Sequence, residues 1–439
     1  MASSRDPASR SPRTLDRRGL LTVGAAGLSA ACAAGAPARP LAPASPRDEL
    51  DELFADLVDR SGEWQPITVA EKAPRLARLG ALLAAAGIDA LVIEAGATLS
   101  YLCDVRWGRS ERLFALVVLA DGSCFWISPA FEAPRARRRI EEAGGPQGPV
   151  VTWDEHEYAW HPLAAALRER GVERVAVEPE ARAFVPERLA EAFGRERVVS
   201  GIGVVRALRG RKEPRELELL RGATELTQAA IRAVAERLRP GLTDREIGRW
   251  IGRAQERLGL RGTWVLPLLG ETAAYPHGEP EGRRLERGAG VLVDTGGSLH
   301  GYQSDTTRTW VFDGPAQGEF ARAWNTVREA QRRAFDALGP GRPAAGVDRA
   351  ARAVIEGAGY GSGYTAFSHR LGHGIGLQGH EEPYLDGGNE LLLEPGMTFS
   401  DEPGIYLAGR FGVRLEDIVV VTADGADHFG TWQEAPETP

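Results

Sequence analysis

Five side chains in the second half of this chain are of the types that bind hard cations or move protons: Asp294, Asp305, His373, Glu402 and Glu416. Val291-Leu292-Val293-Asp294-Thr295-Gly296 is an apolar strand ending in a carboxylate, and Asp305 follows in Tyr302-Gln303-Ser304-Asp305-Thr306. A hairpin with its tip at Leu299-His300, or a wider loop bent at Gly297 and Gly301 in the same register, sets the two aspartates opposite each other, about 5 Å apart at Cβ. A second hairpin, folded about Gly409, sets Glu402 opposite Glu416, and strand alternation puts Arg414 on the face of Glu416. Four carboxylates aimed at one locus repel unless cations or protons neutralise them, and a pair of metal ions is the economical answer. Between the hairpins lie His369-Arg370-Leu371-Gly372-His373-Gly374-Ile375-Gly376 and His380-Glu381-Glu382-Pro383, where glycines let backbone and imidazole approach a shared centre. One imidazole with four carboxylates is a hard, oxygen-dominated donor set that favours Mn²⁺, with Fe²⁺, Co²⁺ or Zn²⁺ as substitutes. Singly, each residue has an ordinary reading as turn former, surface acid or core histidine. Together they would bury paired acids without a counter-charge, which is costly.

The elements that must carry these residues read as α/β in two parts. From 48 to 204 helix and strand alternate. Thr68-Val69-Ala70-Glu71 is a capping box opening a helix that stops at Gly87, and Ile88–Ile93 is a strand. Leu113–Ala120 and Cys124–Ser128 flank the turn Asp121-Gly122, in which both residues are suited to positive φ. A helix over 162–170, a strand over 175–177, a helix over 186–193 with Pro186 at its first position, and a short strand at 198–199 complete a mixed sheet domain. His156 and His161 beside Trp153, Tyr158 and Trp160 suit aromatic packing better than a ligand pocket. The second part begins at the charged joint Arg209-Gly210-Arg211-Lys212-Glu213-Pro214, read as a solvated basic face. A long amphipathic helix bearing Leu217, Leu220, Ile231, Val234 and Leu238 follows, and Thr243-Asp244-Arg245-Glu246 caps the next.

This constellation resembles the pita-bread metallopeptidases, the creatinase, aminopeptidase P and prolidase family, and within it the Xaa-Pro peptidase branch. The resemblance implies a creatinase-like mixed α/β domain over 47–204 and a pita-bread catalytic domain over 205–439. It implies metal ligation by Asp294, Asp305, His373, Glu402 and Glu416, with Asp305 and Glu416 bridging two ions. It also gives supporting roles to His277 in Tyr275-Pro276-His277-Gly278, to His369, His380 and Arg414, and the part of general base to Glu402. The implied reaction is hydrolysis of an Xaa-Pro bond by a water or hydroxide held between the ions. His277 and His380 would hydrogen-bond the carbonyl or oxyanion, while Arg414 and His369 organise them. Trp264, Tyr275, Tyr302 and Tyr384 are candidate walls of a proline pocket. Aminopeptidase and dipeptidase specificity are not separated by these motifs. Metal-dependent hydrolysis of another small amide, or peptide binding without catalysis on the same fold, are the alternatives; the complete ligand set argues against the second and against the metal-free chemistry of creatinase. The expected partner is a peptide with proline second, and the expected assembly is a homo-oligomer, dimer or higher.

The chain has 439 residues, 43% hydrophobic and 26% charged, enough for two domains. With a net charge of −8, bulk attraction to nucleic acid is excluded. Cys32, Cys103 and Cys124 are too few and too scattered for a disulfide scaffold or zinc ribbon; Cys103 with Cys124 is the pair open to bonding in an exported protein. Residues 1–46 read as an address. Arg17-Arg18-Gly19-Leu20-Leu21 before a weakly apolar Ala/Gly run resembles a twin-arginine export signal, which implies a periplasmic or extracellular protein. Ser29-Ala30-Ala31-Cys32 leaves a lipid anchor at Cys32 open beside ordinary cleavage, and no membrane span is expected in the mature chain. A Pro/Ala spacer through Pro46 follows.

Overall fold

The structure is a computed structural model and describes residues 46–439; the twin-arginine motif and Cys32 lie outside the described residues. Ala90–Glu94, a run of five buried residues, pairs antiparallel with Ala115–Leu119 and parallel with Val175–Val177. The full sheet is six-stranded and mixed, with Val150–Trp153 at one edge and Val198–Ser200 at the other. Its central strands are mostly apolar because helices cover both faces. Thr68 and Glu71 form the reciprocal cap of the helix Val69–Ala85. At Asp121-Gly122 only Gly122 takes positive φ, 82°, because the loop holds three residues between paired Leu119 and Ser123. Pro186 sits inside the first turn of Phe184–Phe193 rather than at its start. Tyr158 and His161 meet edge to face at 5.1 Å while Trp153 and Trp160 join the core, so that cluster is packing. Cys103 and Cys124 are both buried free thiols, each pushed up to about 11 by burial.

Two boundaries differ from the sequence reading. The helix Ile202–Arg209 runs across position 204 and buries Val204, Val205 and Leu208 in the first domain's core, so the joint lies at 210–213. Phe54, Ile67 and the flanking Leu50, Leu53, Leu57 and Trp64 pack instead against the helices Pro214–Ala235 and Asp244–Leu258 of the second domain, with Phe54 edge-on to Trp250. The segment before Val69 is therefore part of the catalytic core's wall.

The second domain surrounds two antiparallel sheets. One places Gly290–Leu299 between Arg261–Leu269 and Thr306–Val311; the other orders Glu381–Leu385, Gly372–Gly374, Thr398–Asp401, Asp417–Val421 and Ala426–His428. The ribbon Gly404–Leu407 with Phe411–Arg414 extends from the latter. Two helices, Gly318–Ala337 and Ala344–Gly357, close the second core. Among the described residues no helix is long and apolar enough to cross a membrane.

Candidate metal centre

The first hairpin is shifted from the predicted register. Its turn is His300-Gly301, both at positive φ (50° and 97°), because glycine at the second position suits a tight hairpin turn better than Leu-His. Asp294 therefore faces Thr307, and Asp305 lies two residues along the same strand direction. A shift of two preserves the face, so both aspartates still meet. The second hairpin has the predicted register throughout: Gly404 pairs with Arg414 and Asp401 with Asp417, which leaves Glu402 and Glu416 at facing positions in the gap between the paired stretches.

His373 arrives from the short strand Gly372–Gly374, threaded between other strands. A Cβ on Gly372 would stand 1.9 Å from the Ser400 carbonyl oxygen and one on Gly374 2.4 Å from that of Glu381, so neither position admits a side chain. The result is one locus in which ligand atoms of His373, Glu402 and Glu416, and of Asp294, Asp305 and Glu416, lie within 4.8 Å of one another.

The protonation pattern inside this locus is informative. His373 Nδ1 faces the Gly374 carbonyl at 3.1 Å and must donate to it, which leaves the Nε2 lone pair directed at Glu402 Oε1 (3.4 Å) and Asp305 Oδ2 (3.6 Å). Burial holds His373 down to about 3, so no proton sits there at neutral pH. Acceptors thus confront acceptors. Asp294 Oδ1 is buried without a hydrogen-bond partner among the described residues. Burial, then Asp294 and Glu402, push Asp305 well up; burial, then Asp305, do the same to Glu416; burial lifts Glu402 to about 7 against the pull of Arg414. A donor set of this chemistry fits divalent cations.

A shell of hydrogen bonds fixes the ligands. Arg414, 2% exposed, donates to Asp294 Oδ2 (2.7 Å), Thr307 Oγ1 (3.1 Å), Tyr406 Oη (2.9 Å) and the Pro276 carbonyl (3.1 Å). Burial opposes its charge, yet Tyr406 and the surrounding carboxylates raise its pKa well above the usual value. Thr307 donates to Glu416 Oε2 at 2.7 Å, and Ser400 accepts from the His373 amide and donates to Glu402 Oε1. His369 Nδ1 donates to the Arg370 carbonyl, so its Nε2 accepts from Tyr406 Oη at 2.8 Å; burial keeps this imidazole neutral, down to about 3.

His277 is exposed at the rim. His380 stacks on His373 with ring centroids 3.6 Å apart and can itself approach Asp305. Burial lowers its pKa. Of the four candidate pocket walls, Tyr302 turns away to bond Glu216 in the interior, while Trp264 and Tyr275 are exposed and Tyr384 lies opposite His373.

Tyr406, Thr307 and Ser400 belong to the site although no sequence motif marks them. The signal for them is parity: Ser400 and Tyr406 alternate in step with Glu402, and Thr307 in step with Asp305. The basic joint is likewise not the solvated face that its composition suggests. Arg209 (5% exposed) and Lys212 (6%) are buried, clamping Glu381 at 2.5 and 2.7 Å, and thereby hold the residue next to His380 against the inter-domain joint.

Residues 75–210 match the creatinase/prolidase N-terminal domain, and 218–423 match metallopeptidase family M24. The "Probable dipeptidase PepE" of Mycobacterium tuberculosis is 39% identical over 356 residues, covering 81% of this chain and 93% of that protein. The chain belongs to metallopeptidase family M24. Among solved structures, this M24 peptidase is similar to dipeptidase PepE from Mycobacterium ulcerans, with a TM-score of 0.78 and 37% identity, covering 85% of this chain and 99% of that one. It is also similar to the Xaa-Pro dipeptidase from Bacillus anthracis, with a TM-score of 0.70 and 26% identity over 83% and 99% of the chains. The fold is therefore a creatinase-type N-terminal domain followed by an M24 domain, and the protein is a metallopeptidase.

Proposed function

We propose that this M24 peptidase hydrolyses Xaa-Pro bonds with two divalent ions held by Asp294, Asp305, His373, Glu402 and Glu416, Mn²⁺ first among them. The observation that carries the reading is the gathering of the neutral His373 Nε2 within 3.4 Å of Glu402 Oε1 and 3.6 Å of Asp305 Oδ2, in a locus shared with Asp294 and Glu416. When bound, such ions supply a nucleophile at neutral pH by lowering the pKa of a water. In this reading Glu402, to which the Ser400 hydroxyl donates, takes the proton and returns it to the leaving nitrogen. His277 and His380, both exposed, hydrogen-bond the substrate carbonyl in the same reading. Arg414 ties Asp294 to the Pro276 carbonyl and so holds the His277 loop against the ligands. The preference for proline is supported by the likeness to the Xaa-Pro dipeptidase of Bacillus anthracis.

A panel of Xaa-Pro dipeptides, Xaa-Pro-Yaa tripeptides and proline-free peptides, read by mass spectrometry on protein whose metal content is measured, tests the reading. Hydrolysis confined to Xaa-Pro bonds in protein carrying about two first-row ions is the expected result; metal-free protein that gains no activity with Mn²⁺ overturns it. The proposal extends to export, resting on Arg17-Arg18 and the apolar run behind them, with lipidation at Cys32 as one form of processing and a homo-oligomer as the assembly. Fractionation of expressing cells, with the Arg17→Lys, Arg18→Lys double variant as control, tests export, and light scattering tests assembly.

A further inference from the structure

The three residues that lead from the tip of the first hairpin to Asp305 are each tied to a different element. Ser304 shares a 2.7 Å hydroxyl hydrogen bond with Thr227 of the helix Pro214–Ala235. Gln303 donates from its backbone amide to the Gly376 carbonyl (2.8 Å) and from its side chain to that of Leu377 (3.3 Å), in the segment between His373 and His380. Tyr302 donates to Glu216 Oε1 at 3.0 Å and is the one donor to that oxygen among the described residues. The first two ties stay inside the catalytic domain, whereas the third leads towards the other domain.

Glu216 Oε2 accepts from the Glu213 amide at 2.9 Å and lies 4.0 Å from Arg75 Nη2. Arg75 belongs to the helix Val69–Ala85 of the N-terminal domain, and its guanidinium crosses the joint to hold Glu213 Oε2 at 2.7 and 3.1 Å. Within its own domain it donates from Nη1 to the Tyr101 carbonyl (2.8 Å) and stands over the Tyr101 ring, 4.0 Å from the centroid. Arg75, Tyr101, Glu216 and Tyr302 are all 3% exposed or less. A buried carboxylate that meets its guanidinium only at 4.0 Å depends on its remaining donors, and losing one leaves an oxygen unsatisfied at the domain joint. For Glu216 that donor stands three positions before Asp305. Asp305 is repelled by Asp294 and Glu416, whose ligand atoms lie within 4.8 Å of its own, until cations neutralise the group.

We propose that Tyr302 is a positioning residue that couples docking of the N-terminal domain to filling of the metal centre. Ions hold the Asp305 arm where Tyr302 satisfies Glu216, and Glu216 with Glu213 then seats Arg75. The inference rests on the ligand set proposed above and gives the N-terminal domain a part in it. Such coupling is reciprocal: the factor by which metal tightens the seating of Arg75 is the factor by which that seating tightens metal binding.

The test compares the full chain as wild type, Tyr302→Phe and Arg75→Lys, stripped by chelation and then supplied with Mn²⁺. Hydrogen exchange of the helix Val69–Ala85 is read against that of Trp160–Glu169, which packs on the opposite face of the N-terminal sheet, so that global stabilisation by metal cancels. In the wild type Mn²⁺ is expected to slow exchange around Arg75, relative to that reference, by roughly 5- to 150-fold, the usual range of coupling between sites. Tyr302→Phe should bring this ratio to within about threefold of unity and weaken Mn²⁺ binding, measured by calorimetry, by about fivefold or more. Arg75→Lys, altered in the other domain, should weaken Mn²⁺ binding in the same direction, since the charge stays but the fork is lost. A Tyr302→Phe protein that is less stable yet binds Mn²⁺ as the wild type does has lost only a structural contact, and that result overturns this inference alone. So does a wild type that binds two Mn²⁺ without any relative slowing at Arg75, which decides the matter if Tyr302→Phe does not fold. A wild type that binds no Mn²⁺ overturns the ligand set and this inference with it.

Discussion

Glu402→Gln separates the cost of an empty acid cluster from the benefit of a filled one. Burial moves the Glu402 carboxyl from 4.5 to about 7 in the folded protein, and at 1.36 kcal/mol per unit that is about 3 kcal/mol. Because the folded pKa is the higher one, the stabilising protonated form is fully present below pH 4.5 and is lost as pH rises through 7. Glutamine keeps the shape, still accepts from Ser400, and never ionises. In protein stripped with a chelator, Glu402→Gln should therefore match the wild type at pH 4.5 and below, then exceed it by about 3 kcal/mol at pH 8. Comparing the two proteins at each pH cancels the opposing contribution of His369 and His373, whose folded pKa values are depressed to about 3 and which favour the folded state as pH rises. With Mn²⁺ added the order should reverse, because the wild type gains binding energy that the amide cannot supply. Urea unfolding midpoints over the pH series, with and without metal, give the measurement. A chelated Glu402→Gln less stable than the wild type at pH 8, or a difference that does not vary with pH, refutes the reasoning.

Three further outcomes follow from the same structure. Glu381→Ala leaves Arg209 and Lys212 buried without their shared anion and should cost about 3–5 kcal/mol by chemical denaturation, whereas Lys212→Met, which leaves the Arg209 pair intact, should cost clearly less. Gly372→Ala forces a Cβ to within 1.9 Å of a backbone oxygen on the neighbouring strand, and the protein should fail to accumulate in folded form or should melt well below the wild type. His373→Ala removes the lone nitrogen donor while sparing all four acids, so metal analysis after dialysis should show loss of bound ions with the fold retained by circular dichroism.

Much of the centre is legible in the sequence because period-two alternation and turn chemistry act locally. The facing of Glu402 and Glu416 follows from a hairpin bent at Gly409, and the structure has that register. The register expected for the first hairpin is two residues off because it centres the turn on Leu299-His300 and leaves Gly301, the residue best suited to positive φ, outside it, yet the carboxylates still meet, since an even shift cannot change the face. What the sequence hides is long-range. Nothing near Lys212 announces that Glu381 will neutralise it, and nothing in the residues around Phe54 says that they pack on helices nearly two hundred positions further on. A basic cluster is solvated by default, and only a distant acid buried beside it reverses that expectation.

The side of the acidic strands that faces away from the centre explains how carboxylates this crowded are held still. Alternation sends Asp401 and Asp417, the neighbours of Glu402 and Glu416, to the opposite face, where they are cross-strand partners. Asp417 is served by Arg308 (2.7 Å), Gln228 (3.1 Å) and Gln331 (3.2 Å). Asp401 has no hydrogen-bond partner for either carboxylate oxygen among the described residues, and burial, then Asp417, push its pKa well up. Arg308 also donates to the Glu416 carbonyl at 2.8 Å, while the Glu416 amide donates to the Thr307 carbonyl. Two buried arginines thus act from opposite sides. Arg308 fixes the backbone of the strand bearing Glu416 from behind, and Arg414 fixes Asp294 and Thr307 from the front. The guanidinium groups on either side of the acid layer limit its self-repulsion without entering the space between Asp294, Asp305, His373, Glu402 and Glu416, the space that the proposed ions would fill.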